Sequence, residues 1–96
     1  MLYELNCRYD TRKSFYGKAF VEIQKNDYEQ TKDLYSYGIL VASINYNFES
    51  GKRTYFYLGK YSQTTTRHQK EFFKQNDLSD KQIKELFKEG KLEVYE

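Results

Sequence analysis

The chain has 96 residues, a length that predicts one domain spanning residues 1–96. Aromatic residues make up 19% of the chain, which argues against disorder, and a formal net charge of +2 argues against an acidic protein that imitates DNA. Cys7 is the only cysteine, so no internal disulfide can form. Without an apparent signal peptide or an apolar run of about 20 residues, the sequence predicts a soluble cytosolic protein with no membrane contact.

Two alternating segments open the chain and predict a β-hairpin. Residues 2–9 place Tyr3, Leu5, Cys7 and Tyr9 on one face of a strand. Residues 15–23 alternate in the same way, and the small Gly17 and Ala19 indicate either the close approach of a neighbouring backbone or helix, or a bulge.

Further strands follow after a polar segment. Residues 24–33 are predicted as a connection, and 34–37 leads through Gly38 into a strand at 39–48. A Ser-Gly turn at 49–52 precedes a strand at 53–58 that is rich in β-forming residues. A meander of about five antiparallel strands accounts for this pattern.

The hydrophobic period changes beyond residue 60 and predicts two helices, at about 64–76 and 80–89. Ser79 and Gln82 form the S-x-x-Q pattern of a capping box, and Gly90 is the expected stop. The segment after Gly90 either forms a short strand or only packs Leu92 and Val94 against the rest. The predicted fold class is therefore α+β, with one curved antiparallel sheet (about 2–60) and two short C-terminal helices packed on one face.

The stretch "YSQTTTRHQKEFF" (61–73) at the start of the first helix allows three interpretations. In the first, the hydroxyl residues only cap the helix, His68 and Phe72 pack on the sheet, and Arg67 pairs with Glu71 on the outside. In the second, the free amides of the helix N-terminus help to bind an anion such as a nucleic-acid phosphate. The residues of that predicted anion or partner site are Thr64, Thr65, Thr66, Arg67, Lys70 and Lys74.

The third interpretation is catalysis by His68, the only histidine. No carboxylate lies at an instructive spacing from it, and no nucleophile motif is present. One Cys and one His cannot complete a closed zinc site, and Cys7 lies on an apolar face where a thiol is usually inert. We therefore expect no catalytic residue, no metal and no cofactor.

A second candidate surface is aromatic. Tyrosines two positions apart on predicted strands, with cations nearby, could stack on bases or on a protein partner. The residues are Tyr35, Tyr37, Tyr55, Tyr57 and Arg53. Because aliphatic residues are few, the alternative is that these rings are needed for the core or for cross-strand pairs.

Three blocks of sequence indicate a family. The succession "SFYGKA" (14–19), "LYSYGILVA" (34–42) and "YSQTTTRHQKEFFKQN" (61–76) resembles small proteins carried by phages, prophages and plasmids of Gram-positive bacteria, in which YS-x-TT-x-RH-x-x-EF recurs. The resemblance spans roughly residues 3–76. It implies origin in a mobile element and a domain of unknown function, and it transfers no catalytic residue.

Two functional hypotheses follow. The first is a non-enzymatic accessory protein that binds host machinery, either a protein or a ribonucleoprotein such as a CRISPR effector nuclease, and inhibits a defence system in the manner of an anti-CRISPR. The second is a small nucleic-acid-binding module that uses the basic helix N-terminus and exposed tyrosines. The exposed sheet face could also join two copies of the chain as a homodimer.

Overall fold

The structure is a computed structural model that describes residues 1–95. Its framework is one antiparallel sheet of six strands in which the spatial order follows the chain, β1-β2-β3-β4-β5-β6. The strands are β1 (Leu2–Glu4), β2 (Ala19–Lys25), β3 (Glu29–Ser36), β4 (Ile39–Asn47), β5 (Lys52–Tyr57) and β6 (Lys91–Tyr95). The helices α1 (Gln63–Gln75) and α2 (Asp80–Glu89) lie between β5 and β6.

Both helices pack on one face of the sheet, α1 on β3 and β4 and α2 on β5 and β6. Alternate residues of the strands point toward them and form one core with the apolar side of each helix. The fully buried side chains at its centre include Val21, Leu34, Phe72, Phe73 and Leu86. The predicted α+β class is confirmed, with six strands where about five were expected. No helix within residues 1–95 is both long enough and apolar enough to cross a membrane.

The two helices begin and end close to the predicted residues. Ser62 caps α1, and the predicted capping box of α2 is present, with Ser79 and Gln82 each accepting from the other's backbone amide. Gly90 ends α2 in the left-handed conformation, with φ of 82°. The segment beyond it forms β6, which settles the alternative that the sequence left open.

The N-terminal hairpin was predicted too long. β1 ends at Glu4, and β2 begins only at Ala19, because residues 15–18 form a turn in which Tyr16 and Gly17 have φ of 52° and 72°. A Cβ placed on Gly17 would meet nothing within 4 Å. The predicted close approach at Gly17 is therefore wrong, and this glycine instead permits the positive φ of the turn.

The predicted polar connection at 24–33 is also wrong in its second half, since β3 begins at Glu29. The first five residues of this strand, 29–33, were missed because its outward residues are polar there and pair with polar neighbours on β4. The hydroxyl of Ser43 donates to Asp33 Oδ1 at 2.6 Å, and the side-chain amide of Asn45 donates to Glu29 Oε2 at 2.8 Å. Only Leu34 and Ser36 of the strand are fully buried.

A two-residue turn joins β3 to β4, and a change of register follows it where β4 contains one extra residue. Tyr37 and Gly38 have φ of 52° and 79°, the type I′ geometry that suits a tight hairpin. Leu34 faces Ala42 whereas Tyr35 faces Leu40, so Val41 is an extra residue in the ladder. As a result Val41 and Ala42 are both buried, and Leu40, predicted to share a face with Ala42, is 38% exposed.

The capping box of α2 gives the first prediction. Replacing Ser79 by Ala removes the acceptor of the Gln82 amide, 3.2 Å away, and should lower the free energy of unfolding by about 1 kcal/mol. For a domain of this size that corresponds to a fall in Tm of roughly 4–8 °C, measurable by circular dichroism. Lys81→Ala, an exposed change in the same helix, serves as control and should leave the Tm almost unchanged.

Candidate functional site

The first turn of α1 is organised by Ser62. Its hydroxyl oxygen accepts from the amide of Thr65 at 3.1 Å, and its carbonyl accepts from the hydroxyl of Thr66 at 3.0 Å. The extended backbone of Ser62 is the geometry expected of an N-cap residue. The capping role predicted for this stretch is thus filled by Ser62 rather than by the threonines.

A buried polar cluster lies beneath this turn. The hydroxyl of Ser36, the last residue of β3, is 2.9 Å from Thr65 Oγ1 and 2.8 Å from His68 Nδ1. His68 is fully buried and packs edge-on against the Phe15 ring, with the centroids 4.5 Å apart. Burial lowers the pKa of His68, while the charge of Asp10 acts weakly in the opposite direction. The imidazole therefore packs on the sheet, as the first interpretation predicted.

The three threonines of the predicted anion site consequently do not meet at one point. Thr65 is buried and bonded to the sheet, and the hydroxyl of Thr66 is directed to a carbonyl of its own helix. Thr64 is half-buried, and its hydroxyl forms no hydrogen bond within residues 1–95. A cradle made of three threonine hydroxyls does not form.

The three cations of the same predicted site do come together. Arg67, Lys70 and Lys74 lie along one side of α1 and line a shallow cleft of about 110 Å³, whose opposite side is formed by Tyr9 and Asp10. Arg67 and Lys70 are exposed, and Lys74 Nζ is 3.1 Å from Asp80 Oδ1. The predicted basic stripe is therefore a structural feature, although a carboxylate balances one of its charges.

Glu71 was predicted to pair with Arg67 on the outside of the helix, and this is wrong. Its side chain is 2% exposed, and Oε1 accepts from the amides of Tyr9 and Asp10 at 2.9 and 2.8 Å. Oε2 accepts from the side-chain amide of Gln75 at 2.7 Å. The carboxylate fixes the N-terminal loop against α1, a role that sequence spacing did not indicate because the partners lie more than 60 residues away.

The predicted aromatic residues do not share one surface. Tyr55 is 1% exposed and donates its hydroxyl to the carbonyl of Asn76 at 2.8 Å, while Tyr57 stacks on Phe87 of α2 with centroids 4.2 Å apart. These two rings belong to the helix-covered side, as the core alternative predicted. Tyr35 projects from the opposite face, and Tyr37 is exposed in the turn.

Arg53 lies on the helix-covered side too, beside a cation that the sequence analysis missed. Arg53 Nη1 is 3.3 Å from Asp77 Oδ2, and Lys32 Nζ donates to Asn76 Oδ1 at 2.8 Å. Both cations thus approach the C-terminal end of α1, where the helix dipole favours positive charge. Burial, and then the charge of Arg53, lower the pKa of Lys32. Lys32 was missed because β3 was read as a connection.

The face of the sheet that carries no helix bears an apolar patch. Phe20 pairs with Tyr35 across β2 and β3, and Tyr35 pairs with Leu40 across β3 and β4. Leu2 lies beside Phe20 and Tyr35 along a shallow groove. We call Leu2, Phe20, Tyr35 and Leu40 the outer patch. Carboxylates on the same face, Glu4, Glu22, Asp33 and Glu29, give this half of the sheet an acidic character.

Neither Cys7 nor the carboxylates form a metal centre within residues 1–95, where no group of three His, Cys, Asp or Glu is placed to hold an ion. Burial raises the pKa of the Cys7 thiol, and the charges of Asp10 and Glu71 raise it further. The thiol is therefore kept in its protonated, less reactive form.

Comparison with known proteins gives one family. A family model described as "Family of unknown function (DUF8033)" matches residues 3–89, which include β2 to β5, both helices and all but the first residue of β1. No curated protein matches the chain, and no solved structure does.

Burial of His68 gives a prediction on pH dependence. Its pKa is lowered in the folded state, so the unfolded chain binds the proton more tightly, and stability should fall as the pH drops below the unfolded pKa of about 6.5. The loss can reach at most about 1.4 kcal/mol per pH unit. Urea unfolding at pH 7.5 and 5.5 measures it.

The matched variant is His68→Asn, which keeps a polar atom near the position of Nδ1 and cannot titrate. It will be less stable at both pH values, but it should lose less stability on going from pH 7.5 to 5.5 than the parent protein does. Equal losses in the two proteins would contradict the assignment to His68, the only histidine in the chain.

Proposed function

The chain belongs to this family of unknown function, and we propose that it is a non-enzymatic accessory protein of a phage or other mobile element that binds host machinery in the bacterial cytosol. More specifically, we propose that it inhibits a host defence system, with a CRISPR effector nuclease as its target. The resemblance of the three sequence blocks to proteins of phages, prophages and plasmids of Gram-positive bacteria supports this origin.

The observation that carries the proposal is the outer patch. Both helices cover the other face, so Leu2 and Leu40 remain exposed and Phe20 and Tyr35 half-exposed on a sheet surface without a covering layer. Apolar patches on a protein surface commonly mark sites of protein–protein contact, and tyrosine is enriched where binding energy concentrates.

Charge around the outer patch favours a basic partner. Glu4 lies next to the patch on β1 and Asp33 on β3, while Glu22 on β2 lies 3.5 Å from the N-terminal ammonium group, which balances its charge. A nuclease that holds a nucleic acid in a positively charged channel presents the complementary potential. We therefore propose that the outer patch docks at the rim of such a channel and prevents the nucleic acid from entering.

The non-enzymatic part of the proposal is supported by the side chains that a reaction would need. His68 is buried with the Ser36 hydroxyl on Nδ1 and the rings of Phe15 and Tyr37 around it, and the Cys7 thiol has a raised pKa. Groups placed in this way contribute to packing. An inhibitor that acts by occupying a surface of its target does not require a reactive side chain.

Inhibition of a purified CRISPR effector gives the test. The protein should form a stoichiometric complex with the effector ribonucleoprotein, seen by size-exclusion chromatography, and should slow its cleavage of a target plasmid. Tyr35→Ala should weaken inhibition about tenfold or more, because truncation of a tyrosine at the centre of an interface commonly costs over 1 kcal/mol.

Tyr28→Ala is the matched control, since Tyr28 is an exposed tyrosine in the β2–β3 turn, away from the outer patch. This variant should inhibit like the parent. The proposal is abandoned if the protein neither binds nor inhibits any effector in a broad panel. Elution of the protein alone as a dimer that Tyr35→Ala converts to a monomer would assign the patch to self-association instead.

A second candidate function, nucleic-acid binding, is favoured by the cleft beside α1. Arg67, Lys70 and Lys74 line it together with the exposed aromatic ring of Tyr9. Cations beside an aromatic ring are the elements from which many nucleic-acid sites are built.

Salt dependence tests this second function. If the three cations neutralise three phosphates of a single strand, the logarithm of affinity should fall with the logarithm of salt concentration with a slope of about −2. The double variant Arg67→Ala, Lys70→Ala should lose affinity in a mobility-shift assay and show a slope shallower by about 1.4.

The control is Lys81→Ala, Lys84→Ala, which removes the same charge from exposed positions of α2. It should keep most of the affinity and the steep slope. An unchanged affinity in the Arg67, Lys70 double variant would exclude the cleft as the nucleic-acid site.

A further inference from the structure

The cleft beside α1 is assembled from two segments that lie far apart in the sequence. The loop at 8–13 runs beside the helix and places Tyr9 and Asp10 across from the three cations. The same loop carries further exposed cations, Arg8, Arg12 and Lys13. One side of a protein whose net charge is only +2 thus gathers a local excess of positive charge.

Two of the helix cations are available to a ligand. Neither Arg67 nor Lys70 forms an ion pair within residues 1–95, and both side chains are exposed. Glu71, which follows Lys70 directly, forms no ion pair with either cation, because its buried carboxylate accepts from the loop amides. The negative charges near the cleft are those of Asp10 and Glu71, which line it, and of Asp80, which is paired with Lys74.

Tyr9 is held in place by its backbone and not by its ring. Its amide donates to Glu71 Oε1 at 2.9 Å, and the amide of Asp10 donates to the same oxygen. The tyrosine side chain is nevertheless 54% exposed. An aromatic ring on an anchored backbone loses little conformational freedom when a ligand stacks on it, which favours binding.

We infer that this cleft binds single-stranded nucleic acid, with Tyr9 stacking on a base while Arg67 and Lys70 contact the adjoining phosphates. The inference rests on the nucleic-acid function proposed above and names the form of its ligand. Unpaired bases offer a free face to an aromatic ring, whereas the bases of a duplex are already stacked on one another.

The shape of the site agrees with a single strand. A helix that reads duplex DNA enters the major groove as a projecting ridge. Here the loop at 8–13 stands beside the basic side of α1, and it is fixed there by Glu71, so the helix forms one wall of a cleft. The pairing of Lys74 with Asp80 places the unbalanced charge at the Arg67 end of α1, where the helix dipole is also positive.

Fluorescence anisotropy with a labelled 20-nucleotide oligo(dT) and a labelled 20-base-pair duplex tests the inference. The protein should bind oligo(dT) more tightly than the duplex at the same salt concentration. Tyr9→Ala should weaken oligo(dT) binding about tenfold, since stacking on one base contributes on that order, and Tyr9→Phe should bind like the parent. Tyr28→Ala, an exposed tyrosine elsewhere, is the matched control and should have no effect.

Tyr9→Trp gives an independent readout, because the chain contains no other tryptophan. Its fluorescence should be quenched when oligo(dT) binds and should stay unchanged when inorganic phosphate is added. Quenching by stacking reports the position of the ring even if the alanine variant were to fold poorly.

The outcomes separate this inference from the function on which it rests. If Arg67→Ala, Lys70→Ala weakens oligo(dT) binding while Tyr9→Ala does not and the tryptophan is not quenched, stacking on Tyr9 is overturned and nucleic-acid binding stands. Tighter binding to the duplex would also overturn the inference. If the protein binds neither oligonucleotide at low salt, both the inference of stacking on Tyr9 and the proposed nucleic-acid function are excluded.

Discussion

The fold depends on an unusual feature of α1, which buries polar side chains against the sheet and uses them to hold irregular segments. Thr65 and His68 bond to Ser36 where β3 ends, and Glu71 bonds to the loop at 9–10. The side-chain amide of Gln69 donates to the carbonyls of Val41, in the bulge of β4, and of Gly59. These contacts lie where strands end, bulge or give way to loops, and the loop amides of Tyr9 and Asp10 and the carbonyl of Gly59 find side-chain partners on the helix. The helix thus completes the sheet as well as covering it.

This arrangement separates the surface into two regions of different chemistry. Because α1 turns its buried polar side toward the sheet, its cations remain on the side that faces the N-terminal loop. The opposite face of the sheet receives no helix and keeps an apolar patch beside carboxylates. The two functions that we propose use different regions, so one can be tested by substitutions that leave the other intact.

Local signals made the helices predictable from the sequence, whereas contacts between distant residues were not. Ser79 and Gln82 specify the start of α2, and Gly90 specifies its end. Each of these signals lies at the end of the helix that it specifies, and the structure agrees. The first part of β3, 29–33, escaped prediction because polar pairs across the sheet, such as Asp33 with Ser43, satisfy its outward side. The candidate site beside α1 was likewise predictable only where its residues lie close together in the sequence. The spacing of Arg67, Lys70 and Lys74 indicated the basic stripe, but nothing near Tyr9 in the sequence indicates that Glu71 places its ring beside that stripe. Likewise, alternation on a strand could not reveal that helices cover Tyr55 and Tyr57 but not Tyr35.

The order of strands along the sheet has a consequence for synthesis on the ribosome. The first five strands can join the sheet in the order in which they emerge, and the hairpins from β2 to β5 close over short connections at little entropic cost. β6 is the exception, since it reaches β5 only after both helices have been made. During that interval the nascent chain presents β5 as an unpaired strand edge, open to strand addition by a neighbouring chain on the same polysome.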